Sequence, residues 1–251
     1  MTLDPIVVFI IDALVKTLVV IIVLLTGFAY LTLMERIVVA RVQARIGPNR
    51  VGAIRGFAIL QPIADAFKMI MKEDFIPAQA DKLIYLIAPG IAVGTALLAW
   101  AVIPLSPSIT VFDYKLNFQI ADVNVALLYI LAVGSLGVYG IVLGGWASNN
   151  KYSLLGGLRS TAQMISYEIS LGLSLVGVLM ITGTLNLGKI VEQQSLIWNV
   201  LWQPLAFILY LICALAEVNR LPFDLPEAET ELVAGYQTEY GSLKFALFYM
   251  A

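Results

Sequence analysis

Val123–Trp146 reads VNVALLYILAVGSLGVYGIVLGGW, a stretch without one charged side chain. A helix needs roughly 20 apolar residues to cross the hydrocarbon core of a bilayer, and this run supplies them. With no water at that depth the backbone must satisfy its own hydrogen bonds, which favours a helix. Similar runs flank it on both sides. The first spans about Thr17–Met34, extended outward by Ile6–Val15, with Asp12 and Lys16 one helical turn apart near the membrane edge. The second is Leu83–Ile103, with Pro89 and Gly90 inside it; the fourth is Thr161–Thr182, and the fifth is Leu196–Ala216, which includes Pro204. A sixth begins near Leu243 and stops at Ala251, short of a span, so the chain reads as ending inside that helix. The expected fold is all-α: a polytopic transmembrane helical protein with six spans begun, forming one membrane domain over residues 1–251.

Composition agrees. Of the 251 residues 60% are hydrophobic and 13% charged, and the mean hydropathy is +0.90. The chain has one cysteine, Cys213, and no histidine. It therefore has no cysteine set for an iron–sulfur cluster, no histidine for haem or zinc, and no Ser-His-Asp triad. A formal net charge of −2 without a polybasic tail gives no reason to expect nucleic acid. The N-terminal run exceeds a signal-peptide core and lacks a cleavage site, so it is expected to be retained.

Loop charge sets the expected orientation. The Glu35–Lys82 connection holds eight Lys/Arg (Arg36, Arg41, Arg45, Arg50, Arg55, Lys68, Lys72, Lys82). The connections at 104–122 and 183–195 hold only Lys115 and Lys189. The basic loop is then cytoplasmic and the N-terminus outside. Within Phe57–Asp74, Leu60, Ile63, Phe67, Ile70 and Met71 fall on one helical face, with Gln61, Asp65, Lys68 and Lys72 on the other. That is the pattern of a cytoplasmic helix in the membrane surface, and equally of one packed on its own protein.

Three stretches could carry chemistry. Glu168 lies about eight residues, or about 12 Å, into its span. An acid there is costly and normally faces a polar cavity; it reads as a proton-relay acid or as a structural one. Glu217–Tyr240, EVNRLPFDLPEAETELVAGYQTEY, carries six carboxylates (Glu217, Asp224, Glu227, Glu229, Glu231, Glu239) of the 17 Asp and Glu in the chain, against Arg220. Asp224-Leu225-Pro226 reads as a helix N-cap, with Glu227 and Glu229 in the first turn. Glu227 and Glu231 share a face, so these acids are either simply solvated or titrate as a coupled store. Met34–Gly52, MERIVVARVQARIGPNRVG, supplies Arg36, Arg41, Arg45 and Arg50, either as positive-inside anchors or as a collar for soluble partners. Gly144–Gly157 reads as a short connection made of turn residues.

Four blocks in order, MERIVVARVQARIGPNRVG, LQPIADAFKMIMKED, GGWASNNKYSLLGGLRSTAQMISYE and ALAEVNRLPFDLPEAETELVAGYQTEY, resemble the signatures of one family over essentially the whole chain. It is the H subunit of the proton-pumping NADH:quinone oxidoreductase, respiratory complex I. The resemblance implies eight transmembrane helices in the bacterial plasma membrane, joining the membrane arm to a peripheral arm whose subunits hold FMN and iron–sulfur clusters. It implies a shared chamber for a quinone such as ubiquinone, lined or braced by Glu35, Arg36, Arg45, Asp65 and Lys68. It implies a carboxylate path of Glu168, Glu217, Asp224, Glu227, Glu229 and Glu231 toward the pump subunits, with Arg220 as counter-charge. The partners it implies are the other complex I subunits and the lipid bilayer. The third span has no acid, where some family members place one. Other readings are the related subunit of a proton-pumping hydrogenase or ferredoxin-linked complex, a cation-coupled secondary transporter, and a structural linker.

Overall fold

The computed structural model describes residues 5–54, 57–106, 109–111, 114–116, 119–195, 197–220 and 222–251. Helices dominate it, and four are long and apolar enough to cross a membrane: Ile10–Val42, Lys82–Val102, Ala126–Ala147 and Lys151–Thr182. The only strands among the described residues form two short antiparallel hairpins, Ala53–Ile54 with Phe57–Ala58 and Ile109–Val111 with Tyr114–Leu116. The helices group into two compact units, one of residues 1–74, 241–246 and 250, the other of 75–240, 247–249 and 251.

In the first unit α1 (Pro5–Val42) is one uninterrupted helix of 38 residues that carries the Met34–Arg41 block as its last turns. Most of its described apolar side chains are exposed, with Val20, Leu33 and Ala40 buried, as suits a helix that lies in lipid or among partner helices. The helix stops in a two-bond turn. The Arg45 N–H donates to the Ala40 carbonyl at 2.8 Å and the Ala44 N–H to the Arg41 carbonyl at 3.0 Å. Ala44 has φ 55°, a left-handed position where glycine is usual. The expected amphipathic helix is present as α2 (Gln61–Met71), shorter than 57–74 because Phe57–Ala58 is spent in a hairpin. Ile63 and Phe67 are 64% and 61% exposed, so the apolar face is open, and the Arg36–Asp65 ion pair at 2.6 Å ties α2 to α1. Lys244 of α10 (Ser242–Met250) pairs with Asp74 at 2.9 Å.

The second unit is built on α3 (Lys82–Ala99), α4 (Ala126–Ala147), α5 (Lys151–Thr182) and α8 (Pro204–Glu217), with α3 on α4, α4 on α5 and α5 on α8. Small residues bring the backbones together. A Cβ on Gly140 of α4 would stand 2.8 Å from the Ala92 nitrogen and 3.0 Å from the Ala88 carbonyl oxygen of α3. Pro89 inside α3 cannot bond the Tyr85 carbonyl one turn back. The Tyr240 hydroxyl approaches that carbonyl instead, at 3.4 Å, and the two tyrosine rings stack with centroids 4.2 Å apart.

Three boundaries differ from the sequence reading. Gly144–Gly157 is mostly helix: only Asn149 (φ 49°) turns the chain, and the Asn150 side chain caps α5 by accepting from the Tyr152 N–H, so α5 starts ten residues before Thr161. The fifth span is broken, because Pro204 starts a new helix after the short α7 (Asn199–Trp202); Leu196 lies outside the described residues. Asp224 does not cap a helix. Its carbonyl accepts from the Ala228 N–H in a single turn, and helix follows only at α9 (Glu229–Leu232). Pro226 is fully buried there, and a Cβ on Gly235 would meet its carbonyl oxygen at 2.1 Å, so the segment folds back on itself and no longer helix forms.

Replacing Gly140 by alanine forces α3 and α4 apart and is expected to cost about 1–3 kcal/mol. The thermal midpoint of the detergent-solubilised protein should fall, whereas Gly27→Ala, at a position with open space around it, should not lower it.

Candidate functional site

Two carboxylates, Glu168 and Glu217, meet at the middle of the charge-free helix α4. Glu168 lies on α5 about 26 Å from Lys151 and about 21 Å from Thr182 at 1.5 Å per residue, deeper in its helix than the shorter sequence boundary implied. Its carboxyl group meets the hydroxyl of Ser135 on α4, which also reaches the Leu131 carbonyl at 2.9 Å. Glu217 is the last residue of α8, and its Oε1 lies 3.8 Å from where a Cβ on Gly134 would stand. Two acids from two helices thus reach adjacent positions of a third. Helix α8 is only about 20 Å long, so it ends beside the centre of α4.

Gln163 holds the segment after α8 in place. Its amide nitrogen lies 2.8 Å from the Ala216 carbonyl, 2.8 Å from the Phe223 carbonyl and 3.1 Å from Asn219 Oδ1. Asn219 takes φ 50° past the helix end, and its Nδ2 donates to Ser160 Oγ at 3.1 Å. One side chain of α5 therefore fixes both ends of the segment between Glu217 and Asp224, five residues before Glu168 on the same helix.

The rest of the acidic segment splits into two environments. Glu231 pairs with Arg159 of α5 at 2.8 Å, with both side chains well exposed, so the pair adds about 0–1 kcal/mol. Glu227 accepts from Gln237 Nε2 at 3.3 Å, and the same amide donates to the Tyr236 hydroxyl at 2.9 Å. Burial, and then the Glu227 charge, push the Tyr236 phenol up to about 12 against the opposing Gln237 hydrogen bond. Asp224 is half-buried. Glu229 opens α9, and its side chain lies outside what the structure describes. The Glu239 side chain accepts from Asn150 Nδ2 at 2.6 Å. Arg220 stands over the Tyr249 ring and donates to its hydroxyl at 2.7 Å.

The residues expected around a quinone fall in the first unit. Arg36 and Asp65 form the ion pair between α1 and α2, with Gln61 Nε2 donating to the second Asp65 oxygen at 2.8 Å. Glu35 precedes Arg36 on an exposed turn, and Lys68 is exposed in the last turn of α2. Arg45 Nε donates to the Gln43 side chain at 2.7 Å, and Arg41 and Arg45 line a cavity of about 170 Å³ with Ile37, Ile46 and the Gly47-Pro48-Asn49 turn. Among the described residues no cluster of three or more His, Cys, Asp or Glu has the arrangement to hold a metal ion.

Sequence reasoning missed Ser135, Gln163, Gln237 and Tyr236, and treated Arg159 only as loop charge. All but Arg159 are uncharged. Gln163 and Ser135 did carry a signal, since a polar side chain inside an apolar span must find a partner.

The NADH dehydrogenase family model matches residues 15–251. The H subunit of NADH-quinone oxidoreductase from Thermomicrobium roseum is 55% identical over 239 residues, covering 91% of this chain and 69% of that protein. An H subunit of the same enzyme from Geobacter sulfurreducens is 53% identical over 248 residues, 94% of this chain and 70% of the relative. One from Koribacter versatilis is 52% identical over 260 residues, 97% of this chain and 72% of the relative.

Two outcomes follow from this geometry. Gln163→Leu removes the amide donor from the Phe223 carbonyl, at about 1–3 kcal/mol, while the Ala216 carbonyl keeps the Asn219 N–H at 3.3 Å, and it should lower the thermal midpoint more than Ser166→Ala, an exposed change on the same helix. The Tyr236 phenol ionises at about 12 when folded and near 10 when unfolded. Its contribution is fully present below pH 10 and is lost as pH rises toward 12. Tyrosinate absorbance during alkaline titration should show this group ionising late, and Tyr236→Phe should flatten the pH dependence of stability in that window.

Proposed function

The chain belongs to the NADH dehydrogenase family as an H subunit of NADH-quinone oxidoreductase, and from that premise we propose that it turns quinone reduction into proton movement through acids gathered on α4. It is a membrane subunit, and membership of this family makes the other complex I subunits its partners. The single observation that carries the proposal is the meeting of Glu168 and Glu217 at adjacent residues of α4, where α8 breaks off.

The quinone is a substrate that arrives in a chamber shared with partner subunits. Ligand pockets commonly enclose about 300–1,000 Å³, so the Arg41–Arg45 cavity of about 170 Å³ is part of one wall and not a whole site. Arg36, Asp65, Glu35, Arg45 and Lys68 brace that wall, and the open apolar face of α2 serves the hydrophobic tail or the lipid through which it comes. FMN and iron–sulfur clusters on other subunits supply the electrons, and this chain provides no ligand to them. Reduction creates negative charge on the quinone, and charges shift the protonation of carboxylates that feel them. Protons then redistribute among Asp224, Glu227, Glu229, Glu231, Glu217 and Glu168, toward the pump subunits. Arg159 and Arg220 offset charge at the exposed end. The basic Glu35–Lys82 loop and the acidic segment face the cytoplasm in this reading, which is the orientation that loop charge favours.

Loss of a positioned proton-transfer group costs about 10²–10⁴-fold in rate, so Glu168→Gln or Glu217→Gln in the assembled complex should lower coupled turnover by tenfold or more. Proton uptake per electron in liposomes is the measurement. A Glu168→Gln complex that assembles and pumps at the normal ratio would remove the basis for the proposal.

A further inference from the structure

We propose that Ser135 is a positioning residue that holds Glu168 on α4 in both of its protonation states, next to Gly134, beside which Glu217 lies. The proposal rests on the coupling role given above to these two acids, and adds a residue from a helix that has no charge of its own.

A serine inside a helix commonly bonds the carbonyl one turn back, and Ser135 does reach Leu131 at 2.9 Å. The second contact, to a carboxyl group on another helix, is what that local habit does not explain. A hydroxyl has one proton to give and two lone pairs to receive with. When Glu168 carries a proton, Ser135 donates to the Leu131 carbonyl and accepts from the acid. When Glu168 is ionised, the Ser135 proton turns toward the carboxylate. No covalent bond breaks: the hydroxyl rotates about the Cβ–Oγ bond and exchanges the Leu131 carbonyl for the carboxylate as its acceptor. A contact that survives both states keeps the carboxyl aimed at the same place on α4 throughout a proton cycle. At this depth an acid with no hydrogen bond is expensive, so the hydroxyl counts for more than it would in water.

The neighbouring position completes the geometry. Gly134 presents no side chain, and Glu217 Oε1 occupies the space just beyond it. Ser135 is about 14 Å from one end of α4 and about 18 Å from the other, near the centre of the helix. Adjacent residues of α4 therefore receive one acid from α5 and one from α8.

The test uses the whole complex in liposomes, with proton pumping per electron and redox-induced infrared difference spectra of the carboxyl stretch. The Glu168 band is assigned by its disappearance in Glu168→Gln. Ser135→Ala is expected to shift that band to the frequency of a carboxyl without a hydrogen bond and to lower pumping. Ser135→Thr, which keeps the hydroxyl, should restore both, and Ser174→Ala, which removes a buried α5 hydroxyl bonded only to its own helix, should change neither. If Ser135→Ala does not assemble, Ser135→Cys, with a weaker donor, should give a smaller shift in the same direction. An unshifted band together with normal pumping in Ser135→Ala or Ser135→Cys overturns the proposal, provided Glu168→Gln has lost pumping. If Glu168→Gln itself pumps normally, the coupling role fails, and the band position alone still decides whether Ser135 holds Glu168.

Discussion

Inside a bilayer every polar group must find its partner within the protein, and that constraint arranges most of what is distinctive here. The Tyr85 carbonyl released by Pro89 is approached by the Tyr240 hydroxyl. The Ala216 and Phe223 carbonyls at the broken end of α8 are answered by Gln163. Glu168 is answered by Ser135. In water any of these groups could be left to solvent at little cost. Here each becomes a tie between elements far apart in sequence, so satisfying the polar groups and fixing the tertiary arrangement are one process.

The second organising fact is close backbone approach. Gly140 lets α4 lie on α3, and a Cβ on Gly156 of α5 would stand 2.5 Å from the Cα of Gly235. Gly235 takes φ 55° and in turn lies against the Pro226 carbonyl. Backbone thus stacks on backbone from α5 through Gly235 to Pro226, which leaves the acidic segment compact although it has little regular structure. Leu232, Tyr236 and Tyr240 go inward, against Phe248 of α10, while Leu225, Val233 and Glu231 stay outside, the last with Arg159. Packing, more than charge repulsion, sorts the carboxylates into exposed and enclosed sets.

The transmembrane character was legible because membrane insertion depends on summed hydrophobicity, which composition records directly. The four long helices cover most of the apolar runs read as the first four spans. Boundaries were less legible where one residue outweighed the run. Asn150 turned an apparent connection into the first turn of α5, and Pro204 split an apolar stretch that reads as continuous. The Asp224-Leu225-Pro226 signal failed because it is local, whereas burial of Pro226 against Gly235 is a contact with no trace in the nearby sequence. The pairing of Asp65 with Arg36 and the open face of α2 show the other side of this: helical periodicity gave the face, but only the fold could give the partner.

A search for function that follows charge finds Glu168, Glu217 and the acidic segment and passes over α4, because α4 has none. In a low-dielectric setting that order misleads. Charges there are few, and their behaviour is set by the neutral groups that receive them: a hydroxyl, an amide, or a space left by a missing side chain. The same absence of charge that lets Val123–Trp146 cross the bilayer makes it a surface on which two acids can meet without a resident cation to neutralise either one. Had α4 carried a lysine or arginine at this level, Glu168 and Glu217 would each be held as an ion-pair partner and would answer weakly to a charge arriving elsewhere. A glycine and a serine leave them facing each other, and so the stretch that decides the fold is also where the proposed proton exchange between Glu168 and Glu217 would take place.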